Sequence, residues 1–287
     1  MESGRPSRTA AQNALFRALD ARHPLAERVA DDRYAERFLP TEFRALARAG
    51  RVGLLRVALE RYIDRRWPCV RGGVVARTRV IDDEVASSAA GVEQVLILGA
   101  GFDSRAYRIG ALDDLPVFEV DHPDTQRMKR LALAHVQAHR TVSMVPVVFG
   151  RDELDSRLEV AGFSAGLKTL VLWEGVTNYL DSKAVDTTMR LVVQFQAPGS
   201  PFLFTYVHKG VIDGSVEFDG ARTTVKAVKN VGEPFTFGFD PGEVGEYLSQ
   251  HGFTLRWDTT VRQAGAKVWP DEGDLPDYYH VVKATKD

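Results

Sequence analysis

The spacing of apolar and polar positions changes near residue 92. Before that point, three stretches repeat apolar residues every three or four positions, as amphipathic helices do. They are AAQNALFRALDARH (10–23), TEFRALARAG (41–50) and GLLRVALERYIDRRW (53–67). Prolines and glycines separate these stretches, and we find no strand pattern before Val92. The first ninety residues are therefore predicted to be helical.

Beyond residue 92, short apolar runs alternate with helical stretches. The predicted strands are 94–100, 116–121, 142–148, 168–174, 201–207, 253–258 and 277–284, and the predicted helices are 124–140, 152–162, 182–196 and 241–252. Continuous apolar strands that alternate with helices are typical of a largely parallel sheet covered on both faces. Since the last two strands are close in sequence, we expect an α/β sheet of seven strands with one reversed strand near an edge.

The segment 208–240 interrupts this alternation after the fifth strand. A connection of that length is usually functional or disordered. Its four phenylalanines favour an ordered lid, and they are Phe218, Phe235, Phe237 and Phe239.

Composition limits the classes of function. The chain has 287 residues, 44% hydrophobic and 26% charged, with a formal net charge of −2, so no overall basic field favours nucleic acid or anionic lipid. Cys69 is the single cysteine of the sequence, which excludes an internal disulfide. The sequence shows no secretory signal pattern and no apolar run near the roughly 18–20 residues that span a bilayer. We therefore expect a cytoplasmic monomer or homodimer without a membrane partner.

The first strand of the sheet ends in a glycine turn, VLILGAGFDSR. Gly99 and Gly101 allow a sharp turn and the close approach of a ligand to the backbone. A dinucleotide fingerprint requires a third glycine at position 104, where this chain has Ser104. The turn therefore favours a nucleoside ligand without a pyrophosphate, although a plain strand-to-helix turn remains an alternative.

Acidic residues end the second and fourth strands. PVFEVDHP carries Glu119 and Asp121 on one face of the strand, where a carboxylate can accept hydrogen bonds from both ribose hydroxyls. LVLWEGVTNYL places Glu174 at the same edge of the sheet. Upstream, Arg77 or Arg79 can pair with a ligand carboxylate, unless both lie on a solvated helix face. A ribose, an adenosine-like body and a carboxylate together describe S-adenosyl-L-methionine (SAM) better than NAD.

Four ordered motifs, ARTRVIDD, LGAGFDSRAYRI, FEVDHP and WEGVTNYL, closely resemble the leucine carboxyl methyltransferase family. The resemblance covers about residues 7–207. It implies a class I SAM-dependent methyltransferase fold, with residues 1–90 as a helical cap on a Rossmann-like seven-stranded core at 91–287, and with 208–240 as an inserted lid. It also implies an O-methyltransferase that acts on a small molecule, such as a secondary metabolite.

The resemblance also implies which residues hold the ligands. Arg77 would pair with the methionine carboxylate of SAM, and Asp121 would hold the ribose. The full set of expected cofactor contacts is Arg77, Gly99, Ala100, Gly101, Asp103, Glu119, Asp121, His122, Val148, Phe149, Glu174 and Gly175. The expected substrate contacts are Ser7, Arg8 and Tyr206.

The chain departs from the family at the end of the third strand. The family has an aspartate there that contacts the adenine amino group, and this chain has Val148. One such hydrogen bond contributes roughly 1.5–3 kcal/mol, so we expect weaker SAM binding unless Asp152 compensates.

The acceptor and its base stay open at this point. A carboxylate acceptor is ionised at neutral pH and needs no base, whereas a phenol or alcohol requires one. Tyr179, His208 and Glu174 are the candidate bases, and Tyr179 and His208 are the predicted catalytic residues.

Three other functions remain as alternatives. An NAD-dependent oxidoreductase fits the glycine turn but lacks a catalytic Tyr-x-x-x-Lys pair. An RNA-modifying methyltransferase fits the arginines between residues 44 and 66, against the net charge of −2. A binding protein that keeps the fold without methyl transfer fits Val148. A metal site is not expected, because His135 and His139 lack the intervening glutamate of a zinc protease helix.

Overall fold

The computed structural model describes residues 7–136, 141–148 and 152–287. Within these residues, seven strands form one sheet in the order β3-β2-β1-β4-β5-β7-β6. The strands are β1 (Gln94–Leu98), β2 (Val117–Asp121), β3 (Val142–Pro146), β4 (Thr169–Trp173), β5 (Pro201–Val207), β6 (Phe253–Thr260) and β7 (Tyr279–Lys286). β7 runs antiparallel to both of its neighbours, and the pairs among β1 to β5 are parallel. The predicted sheet with one reversed strand near an edge is confirmed.

Helices connect these strands and precede them. They are α1 (Arg8–Asp20), α2 (Thr41–Ala49), α3 (Gly53–Arg66), α4 (Val70–Ala89), α5 (Arg105–Arg108), α6 (Pro123–Ala132), α7 (Leu154–Val160), α8 (Ser182–Phe195), α9 (Lys209–Asp213), α10 (Ala221–Asn230), α11 (Val244–Gln250) and α12 (Val261–Gly265). Short 3-10 turns lie at Leu25–Glu27, Ala35–Phe38, Gly110–Leu112, Thr177–Tyr179 and Glu272–Asp274. The helices predicted before residue 92 correspond to α1, α2 and α3.

The predicted helix 124–140 is shorter in the structure. α6 ends at Ala132, while Leu133 and Val136 still pack against the core formed by the N-terminal helices. Their apolar spacing continues the helical period beyond the helix itself, which explains the longer prediction. Residues 137–140, including His139, lie outside the described residues.

Strand β1 shows how the sheet divides the core into two layers. Leu96 and Leu98 pack with α8 and α11 on one face. Val95 and Ile97 pack with α4 and α12 on the other face. Because side chains alternate along a strand, a strand apolar at every position is covered on both faces, as the sequence predicted.

The N-terminal helices and the segment 208–240 close over the carboxyl edge of the sheet. α1 packs on α4, and Phe38 stacks on Phe102 directly after the glycine turn, with ring centres 5.3 Å apart. Within 208–240, α9 and α10 are followed by Phe235, whose ring lies 5.6 Å from that of Tyr179. Phe218 contacts the ring of His208 at 5.1 Å. These contacts hold both elements next to the strand ends that carry the predicted site.

Candidate functional site

The residues that follow β1, β2 and β4 form the floor of a cavity of about 750 Å³. Its walls come from α1, from the helices α2 and α3, and from the segment 224–236. This position, outside the carboxyl ends of parallel strands, is where open α/β sheets bind ligands. The volume falls in the upper part of the roughly 300–1,000 Å³ range of ligand pockets.

The glycine turn after β1 lies directly on this floor. Gly99 has φ of +66°, and a Cβ at this position would lie 2.3 Å from Cγ2 of Val176. Gly101 has φ of +41°, but the nearest atoms to an added Cβ are 3.8 Å away or more. Gly99 is therefore required for packing and Gly101 leaves open space on the cavity side, where a ligand can approach the backbone.

Asp121 ends β2 at the edge of this space. Its Oδ2 accepts a hydrogen bond from the backbone N–H of Gly101 at 2.6 Å, and its Oδ1 accepts one from His122 N–H at 2.6 Å. Burial raises the pKa of Asp121, and these two backbone donors act in the opposite direction. A carboxylate has about four lone-pair sites, and the side chain of Thr125 hydrogen-bonds to Asp121 as well, so one site remains for a ligand hydroxyl.

Glu174 forms the second acidic group on the floor. Its Oε1 accepts from Nε of Arg77 at 2.7 Å, and its Oε2 accepts from Nη1 of Arg105 at 2.6 Å. Burial alone would raise the pKa of Glu174, but Arg105 and Arg77 outweigh it and hold this pKa at about 2. Glu174 is therefore a permanent anion that orients two arginines, and it is not a proton acceptor at neutral pH.

Arg105 extends this ion pair into a buried network. Its Nε donates to Asp82 at 2.7 Å and its Nη1 also contacts Asp103. Arg108 donates to the same Asp82 carboxylate, at 2.8 Å from Nη2 to Oδ1. Charge-assisted hydrogen bonds of this kind fix the side chains in place. The network thus ties α4 to the turns after β1 and β4.

Arg77 keeps donors for a ligand. Its Nε is bonded to Glu174, and its guanidinium lies over the ring of Tyr279 at 4.6 Å. Among the described residues, its two terminal nitrogens have no hydrogen-bond partner, and the side chain lines the cavity. A ligand carboxylate can therefore pair with Arg77 without displacing Glu174.

Most of the predicted site residues meet around this one cavity. The lining residues include Ser7, Arg77, Gly99, Ala100, Gly101, Asp103, Asp121, His122, Val148, Glu174, Gly175 and Tyr179. Phe149 lies outside the described residues.

Glu119 takes a different position from its neighbour on the same strand. Its carboxylate is buried behind the floor, where Oε2 lies 2.7 Å from Nζ of Lys129 on α6. Burial raises the pKa of Glu119 to about 6, although Lys129 opposes this shift. Glu119 does not line the cavity, so its expected cofactor contact does not correspond to its place in the structure.

Three other predicted site residues also lie away from the cavity: His208, predicted as catalytic, and Tyr206 and Arg8, predicted as substrate contacts. The hydroxyl of Tyr206 donates to Asp258 at 2.6 Å, and its side chain is fully buried. The Nδ1 atom of His208 accepts from Gly210 N–H at 2.9 Å and so caps α9. Arg8 is exposed at the start of α1. The structure therefore does not bring Tyr206, His208 or Arg8 to the cavity walls.

The position of Val148 bears on the expected adenine contact. Val148 lines the cavity, and its backbone N–H donates to Oδ2 of Asp152 at 2.8 Å. An acidic group thus stands beside the position at which the family has an aspartate. Asp152 itself is absent from the cavity lining formed by the described residues.

Sequence reasoning missed Glu233, which lies in the segment 208–240. Its Oε2 accepts from the hydroxyl of Ser7 at 3.1 Å and from the N–H of Thr9 at 3.2 Å, so it joins this segment to the first turn of α1. Glu233 also lines the cavity. No motif signals this contact, because its partners are 224 or more positions away in sequence.

The end of the cavity away from the sheet is apolar. Phe43 and Leu46 from α2, Leu59 and Ile63 from α3, and Trp67 line it. Their helical spacing was visible in the sequence, but the side of each helix that faces a ligand depends on how the helices pack. These side chains form an apolar compartment at this end of the cavity.

Within residues 7–136, 141–148 and 152–287, no three His, Cys, Asp or Glu side chains are arranged to hold a metal ion. In the same ranges, no helix combines the length and apolar character that crossing a membrane requires.

The fold agrees with that of solved methyltransferases. A structure from Thermobifida fusca, provisionally described as a methyltransferase, superimposes with a TM-score of 0.59 at 16% identity. The match covers 100% of this chain and 97% of that one. The sheet order, the reversed β7 and the cavity at the carboxyl edge define a class I SAM-dependent methyltransferase fold.

Sequence comparisons specify the family within this class. The sequence profile described as leucine carboxyl methyltransferase matches residues 10–193. A provisionally named SAM-dependent methyltransferase of Mycolicibacterium vanbaalenii is 38% identical over 73% of this chain and 71% of its own length. A similarly named protein of Mycolicibacterium gilvum is 39% identical over 152 residues, which are 52% of this chain and 48% of that protein. The chain belongs to the leucine carboxyl methyltransferase family and is a SAM-dependent methyltransferase.

The residues on the cavity floor fit SAM. Asp121 offers an acceptor site for a ribose hydroxyl, and Gly101 leaves space beside the backbone. Arg77 has donors for a carboxylate, at the base of the cavity behind the glycine turn. The donor set therefore matches the polar groups of this cofactor.

Proposed function

We propose that this chain transfers a methyl group from SAM to an oxygen atom of a small, partly apolar acceptor, with a carboxylate as the preferred acceptor group. The observation that carries this proposal is the continuity of the cavity. One space joins the polar floor at Gly101 and Asp121 to the apolar compartment between α2, α3 and the lid. A cofactor and an acceptor can therefore meet within it.

The chain itself would bind and orient SAM and the acceptor, and it would exclude water from them. SAM supplies a methyl group on a sulfonium sulfur, which is already activated for displacement. Asp121 would hold the ribose and Arg77 the carboxylate, while Glu174 keeps Arg77 in place. Phe235 and the apolar residues of α2 and α3 would orient the acceptor and keep water from it. Positioning of this kind is sufficient to accelerate a displacement on an activated carbon.

The three candidate bases named from the sequence, Tyr179, His208 and Glu174, favour an acceptor that is already ionised. Burial raises the pKa of Tyr179 and of Tyr278, so neither phenol is a base near neutral pH. Glu174 is held as an anion by two arginines, and His208 lies away from the cavity. A carboxylate acceptor needs no proton acceptor, so it fits this lining.

A hydroxyl acceptor is the second candidate, and one residue favours it. Glu233 is a cavity-lining carboxylate that pairs with no arginine or lysine among the described residues. It could accept the proton of a phenol or alcohol. This use of Glu233 would compete with its hydrogen bonds to Ser7 and Thr9.

Calorimetry followed by label transfer tests the proposal. We expect S-adenosylhomocysteine to bind, and we expect radiolabelled methyl groups from SAM to pass to apolar carboxylic acids as methyl esters, which base hydrolyses with release of labelled methanol. A carboxylate acceptor predicts a rate that is flat between about pH 6 and 9, and a phenol predicts a rate that rises with pH in the wild type and is lost in Glu233→Gln. Absence of S-adenosylhomocysteine binding would exclude the proposal.

The remaining expectations stay predictions. They are the secondary-metabolite acceptor, the cytoplasmic location, the monomeric or dimeric state, and the boundaries of the cap at 1–90 and of the lid at 208–240.

A further inference from the structure

The outer face of α2 and α3 exposes large apolar side chains. Leu54 is 86% exposed, Tyr62 61%, Val52 55% and Leu55 52%, and Leu46 is also exposed. On α3, residues 54, 55 and 62 share the side opposite to the buried Glu60 and Ile63. We call this surface, residues 46–66 on the solvent side, the α2–α3 face. Contiguous exposed apolar surface marks a contact with a protein, a ligand or a membrane.

Arginines surround these apolar residues. The segment 41–66 contains seven arginines and three acidic residues, in a chain whose formal net charge is −2. Arg61 and Arg65 are exposed and have no acidic partner among the described residues. Arg48 and Arg51 lie 3.7 and 3.8 Å from Glu36, which is a loose pairing. The α2–α3 face is thus both apolar and positively charged.

We propose that the α2–α3 face docks on the surface of a membrane that contains anionic lipids. Leucine and tyrosine side chains would enter the boundary between headgroups and acyl chains, and the arginines would contact lipid phosphates. Both features are needed for this contact, and both are present on the same two helices. The net charge of the whole chain does not oppose it, because electrostatic attraction acts over about 10 Å.

Two other occupants fit the face less well. A second copy of the chain would place the same arginine-rich surface against itself, since a two-fold interface is self-complementary, and like charges would repel. A nucleic acid would use the arginines but not the exposed leucines, because phosphates dominate such contacts. A lipid surface uses both kinds of side chain.

The cavity opens at this face. Leu46 and Tyr62 line the cavity and are also exposed to solvent, so they lie at its rim. Docking of the α2–α3 face would therefore place the rim of the apolar compartment next to the acyl chains. An acceptor with an alkyl chain could then enter from the bilayer without crossing water, which is an added consequence and not a condition of docking.

Flotation with lipid vesicles tests the docking in the absence of SAM and acceptor. The full chain is mixed with vesicles of phosphatidylcholine, with and without about 30% phosphatidylglycerol, at about 0.1 M and 0.5 M salt. We expect binding to the anionic vesicles, at least about tenfold weaker binding to neutral ones, and partial loss at high salt. Equal partition into both vesicles, or no binding to either, would overturn the proposal and leave methyl transfer untouched.

Two variants separate the apolar and the charged contributions. Leu54→Ser with Leu55→Ser removes apolar contacts, and Arg61→Glu with Arg65→Glu reverses two charges; each is expected to weaken binding about tenfold or more. The matched controls are Val160→Ser, at an 89% exposed position on α7, and Lys183→Glu with Arg190→Glu on α8. We expect both controls to float like the wild type, and all variants to bind S-adenosylhomocysteine with unchanged affinity.

The same samples identify the alternatives. If a labelled RNA binds through Arg61 and Arg65 while vesicles do not float the protein, the face is a nucleic-acid surface and the proposal is wrong. If the controls lose vesicle binding as much as the α2–α3 variants do, the contact lies elsewhere and the assignment of this face is also wrong.

Discussion

The guanidinium of Arg77 donates from Nε to Oε1 of Glu174 over 2.7 Å, on the floor of the cavity. Arg77 comes from the long helix α4 and Glu174 from the turn after β4, so the pair joins two distant segments. The second oxygen of Glu174 accepts from Arg105. Glu174 thus holds both arginines at the site, and its charge state determines the stability of this arrangement.

Acid should weaken the contribution of Glu174 to stability. Its folded-state pKa of about 2 lies below the ordinary value of 4.5, so its ionised form stabilises the fold above about pH 4.5, and the contribution falls as pH decreases toward 2. We expect Glu174→Gln to lower the free energy of unfolding by roughly 3 kcal/mol at pH 7. Chemical denaturation at a series of pH values should show the difference from wild type decreasing below pH 4.5.

An exposed glutamate provides the control for this measurement. Glu246 lies on the surface of α11 and hydrogen-bonds to Gln250. We expect Glu246→Gln to change the free energy of unfolding by less than about 0.5 kcal/mol at each pH. If the difference in the free energy of unfolding between wild type and Glu174→Gln stays constant down to pH 3.5, the ionisation of Glu174 contributes little to stability.

Two acidic residues of β2 should separate cofactor binding from folding. We expect Asp121→Asn to weaken S-adenosylhomocysteine binding tenfold or more in calorimetry, because the single amide oxygen cannot accept from Gly101 N–H, His122 N–H and a ribose hydroxyl together. The control is the double variant Glu119→Gln/Lys129→Met, which removes both charges of the buried ion pair between Glu119 and Lys129. Since Glu119 does not line the cavity, this double variant should keep the affinity for S-adenosylhomocysteine.

Glu119→Gln alone should behave differently from the double variant Glu119→Gln/Lys129→Met. Glu119 and Lys129 are both almost fully buried, so Glu119→Gln alone leaves an unpaired buried ammonium and should cost about 3–5 kcal/mol of stability. The double variant should recover much of this loss. If Glu119→Gln/Lys129→Met binds S-adenosylhomocysteine as poorly as Asp121→Asn, Glu119 takes part in the site after all.

The sequence predicts the sheet well because its strands are continuously apolar, and it predicts the turn at Gly99 and Gly101 because a backbone turn is a local feature. Side-chain direction is less local. Side chains alternate along β5, so Thr205 faces the turn after β4, where its hydroxyl accepts a hydrogen bond from Gly175 N–H, and Tyr206 points into the opposite layer. His208, directly after the end of β5, is the N-cap residue of α9. Period-two alternation could have excluded Tyr206 from the acceptor contacts.

Long-range partners explain the other differences from the sequence predictions. Glu119 shares a strand face with Asp121, but α6 covers it with Lys129, which no strand pattern reveals. Glu233 reaches Ser7 across most of the chain length. Such contacts depend on how helices and the lid pack over the sheet, and that packing is not encoded in any short motif.

The two glycines of the turn should respond to alanine in different ways. Gly99→Ala would place its Cβ 2.3 Å from Cγ2 of Val176 at a positive φ, so we expect a loss of about 3 kcal/mol or more in thermal or chemical denaturation. Val176→Ala should restore part of that stability. Gly101→Ala meets no close atom and should cost only about 1–2 kcal/mol, but it should weaken S-adenosylhomocysteine binding because its Cβ occupies the cavity side. Equal losses of stability in Gly99→Ala and Gly101→Ala would contradict the conclusion that Gly99 is required for packing and Gly101 for the approach of the ligand.

The contact between Glu233 and the first turn of α1 should hold the lid closed. Glu233 accepts from Ser7 and from Thr9 N–H, which is otherwise one of the unpaired donors at a helix N-terminus. We expect Glu233→Ala to raise hydrogen-exchange rates about tenfold in both the start of α1 and the segment 221–236, while β1 stays protected. Glu217→Ala is the matched control, since Glu217 lies in the same lid and pairs with exposed Arg222 at 3.1 Å. Faster exchange in the control as well, or in the lid alone, would mean that Glu233 does not couple the lid to α1.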